Sequence, residues 1–152
     1  RSTGARGPVC TAWPKGLAEP TQVLCLPRYQ LLLSGGRRGV AEREHRTLVD
    51  SGRVFASGSE PEAEGLGLLV PVVLRFSRDR DAEFLALTSI VAEARVAAAE
   101  AGAEAWDLRG TLQLHVSHTP CLSCIGVMLQ FRQAFPSVKM EVSFESCELL
   151  AG

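Results

Sequence analysis

At 152 residues the chain is long enough for one domain with its own core, and its 46% apolar and 22% charged residues are those of an ordinary globular protein. The longest apolar run, Leu66 to Leu74, is interrupted by Gly67 and Pro71 and is far too short to span a bilayer, so no membrane-spanning helix is expected. No secretory signal is recognisable and the first residue is Arg1 rather than Met, so the chain reads as a fragment of a longer protein.

The net charge of −1 hides an asymmetry. Residues 1–59 carry nine Lys or Arg against four Asp or Glu, and residues 60–152 carry seven against thirteen. The positive part is mostly arginine (Arg28, Arg37, Arg38, Arg43, Arg46, Arg53), the side chain suited to bidentate phosphate contacts. That bias points towards a polyanionic partner, while a solvated surface in an arginine-biased composition accounts for it equally well. The five cysteines are an odd number and include one Cys-x-x-Cys. That pattern is not a secreted disulfide framework; it suits metal or redox chemistry in a reducing compartment.

In chain order, residues 1–21 are rich in Gly, Pro, Ser and Thr and read as a loose lead-in. Residues 22–33 offer one or two short strands around Pro27, the Gly35–Gly36 pair a turn, and Val40 to Val49 a weak helical pattern. A short strand is predicted near Arg53–Ala56, followed by an acidic loop over residues 57–65. Leu68–Phe76 reads as a buried strand, with β-branched and aromatic residues bounded by glycine and charge. Arg80–Ala101 predicts a long helix, since Phe84, Leu87, Val91 and Ala94 recur every three or four residues and Gly102 is a natural stop. Gly110–Ser117 and Val138–Phe144 alternate as strands. Between them Cys121–Phe135 predicts a second helix that Pro136 ends, with Val127, Met128, Phe131 and Phe135 as core. From residue 66 the order is strand, helix, strand, helix, strand, which implies an α/β domain with a parallel or mixed sheet.

Two short pieces carry chemistry: Asp81-Ala82-Glu83, and Ser117-His118-Thr119-Pro120-Cys121-Leu122-Ser123-Cys124. Each is expected where a strand delivers the chain to a helix N-terminus, the edge of an open α/β sheet at which ligands bind. Cys121 and Cys124, three apart, project from one face of a first helical turn. Unpaired N–H groups and the positive dipole end there favour thiolates, and Pro120 pre-sets the helix entry. Two thiolates leave room for one further protein ligand and an open position, the pattern of a catalytic rather than a structural zinc. Glu83, close by and not a ligand, is suited to carry protons. Other readings stand beside this one. Asp81 suits an N-cap and Glu83 a first helical turn. The Cys-x-x-Cys alone also fits a structural zinc, a redox pair or two buried thiols.

The two pieces together resemble the signature of the cytidine deaminase-like superfamily, His-x-Glu followed by Pro-Cys-x-x-Cys, over roughly residues 66–145. Ser117-His118-Thr119-Pro120-Cys121 is similar to the Ser-Trp-Ser-Pro-Cys of polynucleotide cytosine deaminases, with His118 at the Trp position. The Asp-Ala-Glu form and a Cys-x-x-Cys helix ending Phe-x-x-x-Phe-Pro look closest to deaminases of bacterial polymorphic toxin systems. The resemblance implies a single deaminase domain over 1–152, with a three-layer fold of a mixed sheet and helices on both faces. It implies Zn2+ held by Asp81, Cys121 and Cys124, and proton transfer by Glu83. Ser117, His118, Thr119 and Pro120 would bind the substrate, the Pro120 carbonyl orienting its amino group. Arg75, Arg78 and Arg80, which flank the motif helix, are expected beside the mouth of the active site. The implied reaction is hydrolytic conversion of cytosine to uracil in DNA or RNA. An immunity protein as partner, delivery into a target cell and no membrane association are also implied.

The sequence departs from the pattern at Asp81, where the superfamily has His. A carboxylate ligates zinc at about the distance of an imidazole but adds a negative charge, which makes a bound water less acidic. Two alternatives follow: a deaminase of free nucleosides or nucleotides, and an inactive, zinc-stabilised binding domain in which Asp81 marks lost catalysis. His115 is expected to pack against a helix, and Cys10, Cys25 and Cys147 to be small apolar residues or free thiols.

Overall fold

The computed structural model describes residues 22–35, 44–48, 52–58, 67–104 and 107–145. Its elements are β1 (Leu24–Gly35), β2 (Glu44–Thr47), β3 (Phe55–Ala56), α1 (Ala82–Ala101), β4 (Leu108–Val116), α2 (Leu122–Ala134) and β5 (Val138–Phe144). They form an α/β domain around one mixed sheet of order β2-β1-β4-β5, with β3 added to β1. β1 runs antiparallel to β4 and β5 parallel to it, joined through α2.

The alternation of β4 builds the core. Leu108, Leu112, Leu114 and Val116 are buried, while Arg109, Thr111 and Gln113 face out. Leu31 and Leu33 of β1 join them, and the inner faces of both helices complete a single cluster. The first seven residues of α1, Ala82–Thr88, are all buried. Farther along, Ala94, Ala97 and Ala98 keep its buried side small. From α2 come Val127, Met128 and Phe131, with the Phe131 ring tilted 49° against Phe135 at 4.9 Å. Burying each such large side chain contributes about 1.5–3 kcal/mol. Both described helices belong to this one cluster against one face of the sheet. The opposite face presents Arg28, Gln30, Arg109, Thr111, Gln113, Lys139 and Glu141. The expected second helical layer is not found among the described residues.

The helices predicted at Arg80–Ala101 and Cys121–Phe135 are present, each two residues shorter, as are the strands near Arg53–Ala56, Gly110–Ser117 and Val138–Phe144. Gly102 ends α1 in the left-handed region at φ 64° and donates to the carbonyls of Ala98 and Ala99. Residues 22–33 yield one twelve-residue strand rather than two. Pro27 is tolerated because, on the side away from β4, described strand pairing occurs only at Leu24–Cys25 and Leu32–Gly35.

Two expectations are overturned. Within Val40–Val49, residues Glu44–Thr47 form a strand, in register with Leu32–Gly35 of β1. The open side of β1 offers backbone partners that outweigh a weak helical pattern; residues 40–43 and 49 lie outside the described residues. Leu68–Phe76 is not a strand but an irregular segment laid over α2. Gln130 takes both backbone groups of Val70, accepting from its N–H at 2.8 Å and donating to its carbonyl at 3.0 Å. Ser123 donates to the Val72 carbonyl, and Val72 sits over Gly126, where a Cβ would come within 2.7 Å of it. With Pro71 lacking a donor and Val70 and Val72 held by side chains, no ladder forms. Val70, Val73, Leu74 and Phe76 are exposed, and only Leu69 is fully buried there. The chain therefore reaches Asp81 through a loop, not from a strand.

Gly110 gives a direct test of the β1–β4 pairing. It sits at φ 132°, and a Cβ there would lie 2.1 Å from the Gln30 carbonyl oxygen, a backbone atom that cannot step aside. Gly110→Ala is expected to cost about 3 kcal/mol or more, read as a lower denaturation midpoint or failure to fold. A midpoint unchanged from the parent would show that this close approach does not exist.

Candidate metal centre

The Cys121 thiol sits at the N-cap of α2 and accepts from the Cys124 N–H at 3.5 Å, which holds the two side chains together. Their sulfurs are 3.5 Å apart, too far for a disulfide. Pro120 lies one residue before the cap instead of inside the helix, so it directs the approach without spending a helical N–H. Asp81 is the N-cap of α1, and its backbone carbonyl accepts from Leu85 at 3.0 Å, but its side chain makes no capping bond. Its Oδ2 instead lies 3.4 Å from the Cys124 sulfur and 3.8 Å from that of Cys121. The capping explanation of Asp81 therefore fails: the carboxylate has turned away from its helix towards two thiols.

These three side chains are the group among the described residues whose ligand atoms lie close enough to share a metal ion. Tetrahedral zinc with sulfur at about 2.3 Å and carboxylate oxygen at about 2.0 Å requires edges of about 3.8 Å between sulfurs and about 3.5 Å from sulfur to oxygen. The observed edges of 3.5, 3.4 and 3.8 Å match within a few tenths of an ångström, so the donor set fits zinc.

Glu83 is only 3% exposed and is not part of the triangle. Burial raises its pKa above the usual carboxylate range and the charge of Asp81 adds to that, against its own backbone N–H, the Cys124 thiol and His118. A solvated first-turn acid would not be enclosed in this way. The Cys124 thiol is pushed well up, by burial first and by Glu83 next. This reverses the expected thiolate stabilisation at the helix start, because burial beside two carboxylates outweighs the helix dipole there. A divalent cation among these groups would offset that penalty.

A cavity of about 110 Å³ opens over the group, lined by Val23, Ser57, Arg78, Asp81, Glu83, Thr119, Cys121 and Cys124. Of the four residues predicted to bind substrate, Thr119 lines it. The Ser117 hydroxyl instead accepts from the Leu24 N–H at 2.8 Å and lies 2.9 Å from His118 Nδ1, and the Ser117 N–H donates to the Leu24 carbonyl. Ser117 thus clasps the start of β1 to the end of β4. His118 is half-buried beside this clasp, near enough to affect Glu83 but outside both the triangle and the cavity lining, as is Pro120.

Two lining residues, Val23 and Ser57, escaped the sequence reading as parts of this site. Ser57 donates its N–H to the Val23 carbonyl at 2.8 Å, a tertiary contact with no local signal. Of the three arginines expected beside the mouth, Arg78 lines the cavity, three residues before Asp81 and paired with it. Arg75 is exposed over the Phe76 ring and Arg80 is exposed, so neither lines the cavity. Of the arginine-rich stretch, Arg28 is exposed on the outer sheet face, while Arg53 bonds Ser89 and stacks 4.5 Å over Phe55. Arg37, Arg38 and Arg43 lie outside the described residues. His115 does not pack against a helix: it is on the outer face, 2.8 Å from the Ser143 hydroxyl. Cys25 is fully buried in the core as expected, and Cys10 and Cys147 lie outside the described residues.

No helix among the described residues is long and apolar enough to cross a membrane. The chain matches no family model, no curated protein and no solved structure.

Proposed function

We propose that this domain is a zinc-dependent hydrolytic deaminase acting on cytosine in nucleic acid. The observation that carries the reading is the tetrahedrally spaced Asp81–Cys121–Cys124 group with the buried, non-ligating Glu83 beside it. Asp81, Cys121 and Cys124 would hold the metal. When bound, zinc supplies a Lewis acid that makes water nucleophilic near neutral pH.

The protein's own part is proton transfer and enclosure. Glu83 accepts the proton of the attacking water and returns it to the base, so that water replaces the amino group on the ring carbon and ammonia leaves. Val23 and Thr119 wall the cavity in which this takes place. A base inside a duplex cannot enter such a cavity, so the substrate cytosine must be flipped out or unpaired. In this reading the domain belongs to a toxin-type protein delivered into a target cell and countered by an immunity protein.

The cavity of about 110 Å³ has room for little more than one base, so it admits the base of a free nucleoside as well as a flipped-out one, and deamination of a free nucleoside is the second reading. One comparison separates them. Oligonucleotides and free cytidine are incubated with the domain at low and high salt, and uracil formation is measured. Turnover of oligonucleotides that falls steeply with salt is expected, because phosphate contacts release counterions. Salt-insensitive turnover of cytidine with none on DNA or RNA would establish the nucleoside reaction instead.

A further inference from the structure

An aspartate is an awkward third ligand beside two thiolates. It has two oxygens and a soft terminal torsion, so without a partner it has no fixed way of presenting one oxygen to a metal. The turn that enters α1 supplies such a partner. The Asp81 N–H donates to the Arg78 carbonyl at 3.3 Å, which closes the turn and brings the two side chains together. Arg78 Nη1 then lies 3.7 Å from Asp81 Oδ1, while Oδ2 is the oxygen facing both sulfurs. The Gly58 N–H donates to the Arg80 carbonyl at 2.9 Å and fixes the same turn from outside. Arg78 also lines the cavity over the cysteines.

We propose that Arg78 is a positioning residue for the metal: by holding Oδ1 it commits Asp81 to present Oδ2 alone between the two sulfurs. This rests on the zinc reading above. Two effects of Arg78 oppose one another, which makes the sign of its removal informative. As a point charge Arg78 repels a cation, so its loss would tighten metal binding. As a positioning group it keeps the carboxylate from rotating, so its loss would loosen binding. Partners of metal ligands typically account for about ten- to hundredfold in affinity, and positioning is expected to dominate here because the guanidinium is partly exposed and its charge is screened.

The test is zinc affinity by competition with a chromophoric chelator, for the parent, Arg78→Ala and Arg78→Lys, each with Asp81 and with Asp81→His. An imidazole has one available nitrogen to aim and no need of Arg78. Arg78→Ala is expected to weaken zinc binding about ten- to hundredfold with Asp81 and to change it little with Asp81→His. Arg78→Lys, which keeps a donor within reach of Oδ1, should recover most of the loss. Unchanged or tighter binding by Arg78→Ala, or the same loss in both backgrounds, overturns the assignment. Melting of the metal-free variants at the parent temperature separates a site effect from a folding defect. If Asp81→His does not fold, the Ala and Lys variants in the parent background decide alone. A parent protein that takes up no zinc would instead remove the reading beneath the proposal, and this is seen before any variant is made.

Discussion

Glu83→Gln is expected to lose at least about 10²–10⁴-fold in turnover while holding zinc as tightly as the parent. Glutamine matches glutamate in shape, so the 3%-exposed position stays filled and no cavity is opened beside Cys124. What disappears is the capacity to take a proton from water and return it. Stability should not suffer. The folded carboxylate has its pKa raised by burial, so the folded protein binds that proton more tightly than the unfolded chain does. The charged form therefore weakens the metal-free fold at neutral pH, and this penalty fades as pH falls through the raised folded value towards the ordinary carboxylate range. Metal-free Glu83→Gln should thus melt no lower than the parent at pH 7. Uracil release, zinc stoichiometry and thermal melts test the three statements together. Release of zinc by Glu83→Gln, with retention by Asp81→Asn, would exchange the roles of the two carboxylates.

Loss of a cysteine should act on the opposite pair of observables. Cys124→Ser removes a buried ligand sulfur, so it is expected to purify without zinc and to lose the stability that the metal contributes. Zinc present at a thousandfold over its dissociation constant stabilises the folded state by about 4 kcal/mol, and in a domain of this size each kcal/mol moves the melting temperature by about 2–4 °C. A fall of roughly 10 °C is therefore expected, and a chelator should impose a similar fall on the parent but none on Cys124→Ser. Elemental analysis and melts with and without chelator decide it. A parent that is metal-free and melts at the same temperature in either buffer would end the metal assignment.

The parts of this site that were legible in the sequence are those fixed by local chemistry. Cys121 and Cys124 are held by helix spacing, and Asp81 and Glu83 by position at the start of α1, so all four could be read off directly. The juxtaposition of Asp81 with two sulfurs forty and forty-three positions later rested on the paired motifs, and the geometry brings them together. What could not be read depends on partners distant in the chain. Glu44–Thr47 is extended because β1 lies beside it. Leu68–Phe76 has a strand's composition, but Gln130 and Ser123 of α2 reach its backbone first. Ser117 has a substrate-binding place in the motif and here closes the sheet onto Leu24. Val23 and Ser57 reach the cavity only because that sheet closes.

The three candidate ligands divide between the starts of two helices, with Asp81 forty positions from Cys121 and forty-three from Cys124. Each local segment therefore holds an incomplete set: two thiols in one, a lone carboxylate in the other. The set is complete only where the starts of α1 and α2 meet in the fold. A metal ion held there would be a reversible cross-link around a loop of about forty residues, made only in the folded chain and without an oxidising compartment.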